Sequence, residues 1–267
     1  MSLSDFFALH PVFTRTEMVR HLAEESGRAQ SPKTVNALLQ YHQETGRILA
    51  IRRGLFATVR PGSTPERSPL DGYLVAHRAF PEGILAYHSA LEMHGLAHSS
   101  FETIQVLVPR NLRRWQFRGL DFHPVQPRRA LGRSAFQMGV EKMDWHGVDL
   151  VVTTQARTLV DCLDRPDLSG GWEEAWRSLE KMRWVDVGEV HAYLCLLGNA
   201  TTSALTGFFL EQHQDHFAFE GGSLQQLEDL RPQGRHYLDR QKGGRLSARW
   251  NLIVPDALWN RAWEEPS

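Results

Sequence analysis

Cysteine and net charge are what this chain has least of. Among 267 residues only Cys162 and Cys195 carry a thiol. Two cysteines cannot staple a disulfide scaffold. Both stand within apolar helical runs, so they are expected to be buried, reduced thiols of a reducing compartment. Lys and Arg number 30 against 31 Asp and Glu, a formal charge of −1. Whole-protein attraction therefore does not drive tight binding to nucleic acid; specific contacts, doubled in a dimer, are needed. No apolar run is long enough to span a bilayer, and Met1-Ser2-Leu3-Ser4-Asp5 does not read as a signal peptide. The expectation is a cytoplasmic protein with no membrane partner. Internal repeats and low-complexity tracts are absent too. The length suits one small and one mid-sized domain.

What is present concentrates at the N-terminus. Thr14 is a good N-cap, and Glu17 three residues on completes a capping-box pattern. Phe13 before the cap and Met18 after it fit a hydrophobic staple. Met18, Val19 and Leu22 supply an apolar stripe, Arg15, Arg20, Glu24 and Glu25 face water, and Gly27 can end the helix in the left-handed region. A second helix opens at Ser31, with Pro32 in the first helical position, where its missing N–H costs nothing. Val35, Leu38, Leu39 and His42 fall at i, i+3, i+4 and i+7, the spacing of a buried face. Lys33, Asn36, Ala37 and Gln40 lie opposite, with Thr34 and Tyr41 beside them. Asn and Gln can pair bidentately with adenine, and Lys reaches guanine or phosphate. A solvated polar face with no partner is the plain alternative.

Ile48, Leu49 and Ile51 run up to Arg52-Arg53-Gly54, and Leu55, Phe56 and Val59 follow. β-branched and aromatic residues around a glycine-containing bend signal a hairpin, and two arginines at its tip suit phosphate contact. Residues 1–60 carry 8 Lys and Arg against 5 Asp and Glu, and the rest of the chain 22 against 26. The expected class is α+β: a winged helix-turn-helix over 1–60, a linker over 61–70, and a larger mixed α/β domain over 71–267.

Within the larger part the pattern predicts helices at Pro69–Phe80, Tyr87–His94, Gln155–Leu163, Trp172–Trp184, Asp186–Leu197 and Thr202–His213. Strands are expected at Thr103–Val108, Gly119–His123 and Val148–Thr154, with an apolar run at Leu252–Pro255. Possible chemistry is thin. His213-Gln214-Asp215-His216 lacks further metal ligands and reads as a polar helix end. Glu141-Lys142 precedes Asp149, the wrong order for a metal-dependent nuclease. Gly221-Gly222-Ser223 and Gly243-Gly244 lack the flanks of a phosphate loop. Arg157 and Asp161, at i and i+4, read as a surface pair. His88, His94 and His98 are explained by a helix face and its terminus.

Five places taken in order resemble the AbiEi antitoxins of type IV toxin–antitoxin systems. They are the N-terminal helix pair with its hairpin; Tyr87–Leu96 followed by Thr103–Pro109; Gln155–Leu163; Leu197-Gly198-Asn199 leading to Gly207–Glu211; and Trp250–Pro255. The resemblance implies a transcriptional repressor without catalytic activity. Its winged helix would bind double-stranded DNA at an inverted-repeat operator through Lys33, Thr34, Asn36, Ala37, Gln40 and Tyr41, with Arg52 and Arg53 on phosphates. It implies a larger domain that neutralises a nucleotidyltransferase-like toxin and helps cooperative DNA binding, tied to abortive infection by phage. A homodimer is expected, with no cofactor and no metal. Two other readings stand beside it. One is a ligand-responsive regulator whose larger domain senses a small molecule; the other is a DNA-targeted nuclease or nucleotidyltransferase.

Overall fold

The computed structural model describes residues 2–132, 135–261 and 263. Met1 and the end of the expected 71–267 domain lie outside the described residues. The protein is mixed α+β and divides into two compact units. One holds residues up to Glu82 together with Gln116–Leu120, the other Gly83–Trp115 together with residues from Asp121 on.

The first unit runs α1 (Leu3–Leu9), β1 (Val12–Thr14), α2 (Arg15–Ser26), α3 (Pro32–Glu44), β2 (Ile48–Arg52), β3 (Leu55–Thr58) and α4 (Gly72–Ala79). Local chemistry sets the helix starts. The Ser2 hydroxyl and Asp5 carboxylate cap α1 reciprocally, and Thr14 with Glu17 does the same for α2. Ser31 caps α3, with Pro32 directly after it. Gly27 takes φ +68 where α2 ends, and Gly54 takes φ +79 at the bend between β2 and β3. The strands form an antiparallel sheet in the order β1-β3-β2. Phe6, Phe7, Phe13, Met18, Val35, Leu39, Ile48 and Phe56 close into one core. Burial of each such side chain contributes about 1.5–3 kcal/mol. Residues 61–70 form turns without helix or strand, and the Arg60 amide donates to Ser68 Oγ at 3.1 Å.

From Gly83 on, the chain runs β4 (Ile84–Leu85), α5 (His88–Met93), β5 (Thr103–Leu107), β6 (Trp115–Phe117, of which Gln116 and Phe117 count with the first unit), β7 (Leu120–Val125), β8 (Val140–Trp145) and β9 (Val148–Thr153). These strands form a mixed sheet in the order β6-β7-β5-β4-β9-β8. Next come α6 (Gln155–Asp164), α7 (Trp172–Leu179), β10 (Trp184–Asp186), α8 (Val187–Leu197) and α9 (Ala200–Gln212). The chain ends with β11 (Ala218–Glu220), α10 (Leu224–Glu228), β12 (His236–Tyr237), β13 (Arg245–Ser247), β14 (Leu252–Val254) and α11 (Asp256–Asn260). The main core gathers around Trp176, Phe209, Tyr193 and Trp250. Gly207 is required there. A Cβ at this position would stand 2.2 Å from Trp250 Cζ3, so only a hydrogen lets the indole lie against α9. The indole N–H then donates to Glu211 Oε2 at 2.8 Å, and Glu211 also receives Arg249 at 2.7 Å.

Several expectations change. Arg157 and Asp161 are buried, not a surface pair. Every residue from Ala156 to Leu163 is buried, because α6 packs against α5, α7, α8 and α9. Cys162 is buried, and burial pushes its thiol up to about 12. Cys195 is exposed. Helix α8 turns Val190, Tyr193, Leu194 and Leu197 inward, leaving Cys195 and Leu196 outside. The helix from Trp172 stops at Leu179, and Trp184 begins a strand paired in parallel with β11. Asp186 and Glu189 have the spacing of a capping box, but only Asp186 caps α8; the Glu189 carboxylate instead receives Thr154 Oγ1 at 2.6 Å. His213 is buried against Phe209 and Glu180 rather than solvated.

Candidate nucleic-acid interface

Helix α3 has two unlike faces. Val35, Leu39 and His42 are buried in the first unit's core. Burial, then the Arg47 charge, holds the His42 imidazole below its usual range. Lys33, Thr34, Asn36, Ala37, Gln40 and Tyr41 are all exposed on the other side. Thr34 Oγ1 lies 2.8 Å from Ser31 Oγ, which ties it to the helix cap. Gln40 Nε2 donates to Glu44 Oε1 at 2.9 Å. Arg52 and Arg53 are exposed at the end of the β2–β3 hairpin.

Arg15 is the residue that sequence reading left facing water. It stands in the first turn of α2, half-buried, and its Nε donates to Asn36 Oδ1 at 3.2 Å. The cause is the sheet register. Thr14 pairs with Leu55, so the next residue falls beside the hairpin bend, and the Arg15 amide donates to the Gly54 carbonyl at 2.8 Å. The result is an open groove of about 510 Å3 lined by Arg15, Asn36, Gln43, Arg53 and Gly54 over Leu39 and Phe56. Two guanidinium groups flank it, and no carboxylate lines it. No short motif announces this. The signal is the strand Val12–Thr14, whose partner lies some forty residues away.

Arg15 also conditions what Asn36 can do. Bidentate pairing with adenine uses the amide oxygen and nitrogen together. Arg15 already occupies one of the two lone pairs of that oxygen, so a base must use the other or displace Arg15.

Elsewhere, no group of three or more His, Cys, Asp or Glu placed to hold a metal ion occurs among the described residues. Lys142 and Asp149 lie 3.7 Å apart on the β8–β9 hairpin, both exposed. His88 is fully buried, with Nε2 3.2 Å from Glu174 and Nδ1 3.6 Å from Glu92. His94 Nε2 lies 2.7 Å from the Thr153 carbonyl. These contacts hold α5 to its neighbours. No helix of the described residues is long and apolar enough to cross a membrane.

A scan against protein-family models finds no match, and neither does a search of curated proteins. Among solved structures the chain is similar to the Rv2827c protein from Mycobacterium tuberculosis. The two share 15% identity with a TM-score of 0.56, over 93% of this chain and 87% of the other. That likeness concerns the fold alone.

Proposed function

We propose that the chain is a transcriptional repressor whose first unit is a winged helix-turn-helix, with α3 as recognition helix and the β2–β3 hairpin as wing. One observation carries this reading: the whole outward face of α3, from Lys33 to Tyr41, is exposed and rich in hydrogen-bonding side chains beside an arginine-tipped hairpin. Lys33, Asn36, Ala37 and Gln40 would meet base edges in the major groove, while Arg52 and Arg53 hold phosphates and fix register. Two copies would place their α3 helices in successive grooves of an inverted repeat. The resemblance to AbiEi antitoxins extends the proposal to a cytoplasmic protein whose second unit counteracts a nucleotidyltransferase-like toxin, with no turnover of its own.

The test is binding to the DNA upstream of its own gene, footprinted and then titrated across salt concentrations. Arg52→Ala with Arg53→Ala should weaken binding uniformly across sequences. It should also lower the salt slope by about 2, one for each phosphate that an arginine no longer neutralises. An unchanged slope removes the wing assignment. Asn36→Ala or Gln40→Ala should instead relax sequence choice by about 1–3 kcal/mol at one base pair.

A further inference from the structure

The second unit has a groove of its own, independent of the DNA reading. It opens between the segment Gln126–Ala130, the end of α6 and the junction of α8 with α9, and measures about 510 Å3. Arg128, Arg129 and Arg165 line it, with Asp164 and Asn199. Asp164 is the one carboxylate among these lining residues, and it is already satisfied. Its Oδ2 accepts Arg128 Nε at 2.6 Å, and its Oδ1 accepts Asn199 Nδ2 at 3.1 Å and Thr202 Oγ1 at 2.8 Å. Its side chain is only 3% exposed, so it presents almost no negative surface to the groove.

The other two arginines are not neutralised. Arg165 uses Nη1 on the Tyr87 hydroxyl at 3.1 Å and the Gln126 carbonyl at 3.0 Å, and its guanidinium lies 5.5 Å from the Tyr87 ring centre. Those contacts fix the guanidinium without cancelling its charge. Arg129 is exposed, and its side chain makes no hydrogen bond or ion pair among the described residues. Asn199 is the N-cap of the thirteen-residue α9, whose helix dipole adds positive potential at the same wall.

We propose that this groove binds a small phosphorylated anion, with Arg129 and Arg165 as its charge partners. Two uncompensated guanidinium groups match a dianion better than a single carboxylate. Their planar donors suit phosphoryl oxygens, and the volume lies in the range of small-molecule sites. The anion has two sources of shared chemistry, free phosphate and the phosphate chain of a nucleotide.

Calorimetric titration of the full chain at low ionic strength, with inorganic phosphate in one arm and ATP in another, distinguishes these sources. Binding in either arm, accompanied by amide shifts at Gln126–Ala130, is the expected result; tighter binding of ATP identifies the nucleotide. Arg129→Ala touches no other side chain and should weaken binding about tenfold or more while leaving thermal stability unchanged. Arg165→Lys keeps the charge but loses the fork, and should also weaken it. Silence in both arms up to about 10 mM, or affinity indifferent to both variants, overturns the proposal. So does an effect of Arg129→Ala on duplex DNA binding alone, because the groove would then hold a nucleic-acid backbone. Failure of operator binding leaves this experiment unaffected.

Discussion

Removing the Arg157 guanidinium should destabilise the second unit by an amount that depends on pH. Arg157 is fully buried. Its Nε donates to Asp161 Oδ2 at 3.2 Å, and its Nη1 donates to the carbonyls of Phe136 at 2.8 Å and Met138 at 2.7 Å. Asp161 also accepts the Tyr193 hydroxyl at 2.7 Å. Burial raises the Asp161 carboxyl above the usual carboxylate range, and Arg157 pulls it back only in part. Arg157→Met keeps an apolar stem but leaves a buried carboxylate without its counter-charge. Breaking such a pair costs about 3–5 kcal/mol at neutral pH, or roughly 6–20 °C in Tm for a unit of this size. The variant's Asp161 sits higher still, so its folded value exceeds the unfolded one of about 3.9. A raised carboxyl contributes stability below the unfolded value and loses it as pH rises through the folded value. The gap between variant and parent should therefore narrow towards pH 4 and widen towards pH 8. Urea unfolding followed by tryptophan fluorescence across that range measures it. Asp161→Asn strands a guanidinium that cannot deprotonate but also removes the raised carboxyl, so its cost should not widen with pH and should shrink as the parent's Asp161 ionises. Arg157→Met combined with Asp161→Leu should recover most of the loss. A pH-independent cost for Arg157→Met, or a double variant worse than either single one, refutes the reasoning.

Three further outcomes are expected. Gly207→Ala gains about 1 kcal/mol of helix propensity but drives a methyl into a fully buried indole, and overpacking of that kind costs about 1–3 kcal/mol or more. The variant should melt below the parent, and a higher Tm would mean that Trp250 can move. His42→Leu removes a buried ring whose two nitrogens lack hydrogen-bond partners among the described residues, and should stabilise the first unit by about 1 kcal/mol. Because the folded imidazole titrates low, the parent should lose stability as pH falls below about 6.5, a loss that denaturation of the His42→Leu protein should show reduced. Arg15→Ala should lower the salt slope of operator binding by about 1 if Arg15 leaves Asn36 for a phosphate, which the same titrations read directly.

Local chemistry was legible because its partners are neighbours in the chain. The Thr14–Glu17 box, the Ser31-Pro32 start and the Gly54 bend each span at most four residues, and each stands where the pattern places it. The alternation of α3 is equally local, so the exposure of Lys33 through Tyr41 follows from spacing alone. What depends on distant elements was not legible. Nothing within Gln155–Asp164 says that four other helices converge on it, so Arg157 and Asp161 look like a surface pair. The run Tyr193–Leu197 is continuously apolar, which hides the face on which Cys195 lies. Strand β1 has only three residues, and its pairing with β3 closes a long loop. Strand β8 exposes Glu141, Lys142 and Asp144, so its sequence gives no strand signal without β9 beside it. The Arg15–Asn36 hydrogen bond inherits the same difficulty from β1.

The residues that carry the likeness to AbiEi antitoxins in the second unit are packing residues. His88, Leu91, Arg157, Asp161 and Cys162 are buried, Gly207 makes room for Trp250, and Glu211 holds its indole. Such positions constrain a fold, and the likeness to a structure only 15% identical in sequence concerns the fold as well. Neither bears on what the chain binds, since function resides in exposed side chains placed on the scaffold. Lys33 through Tyr41 on the outward face of α3 and Arg129 on the groove wall supply such side chains, and none of these contributes to a core. They can therefore change without unfolding the protein. It follows that a chain sharing every one of those core positions, but differing along the outward face of α3, should keep this fold and recognise a different operator.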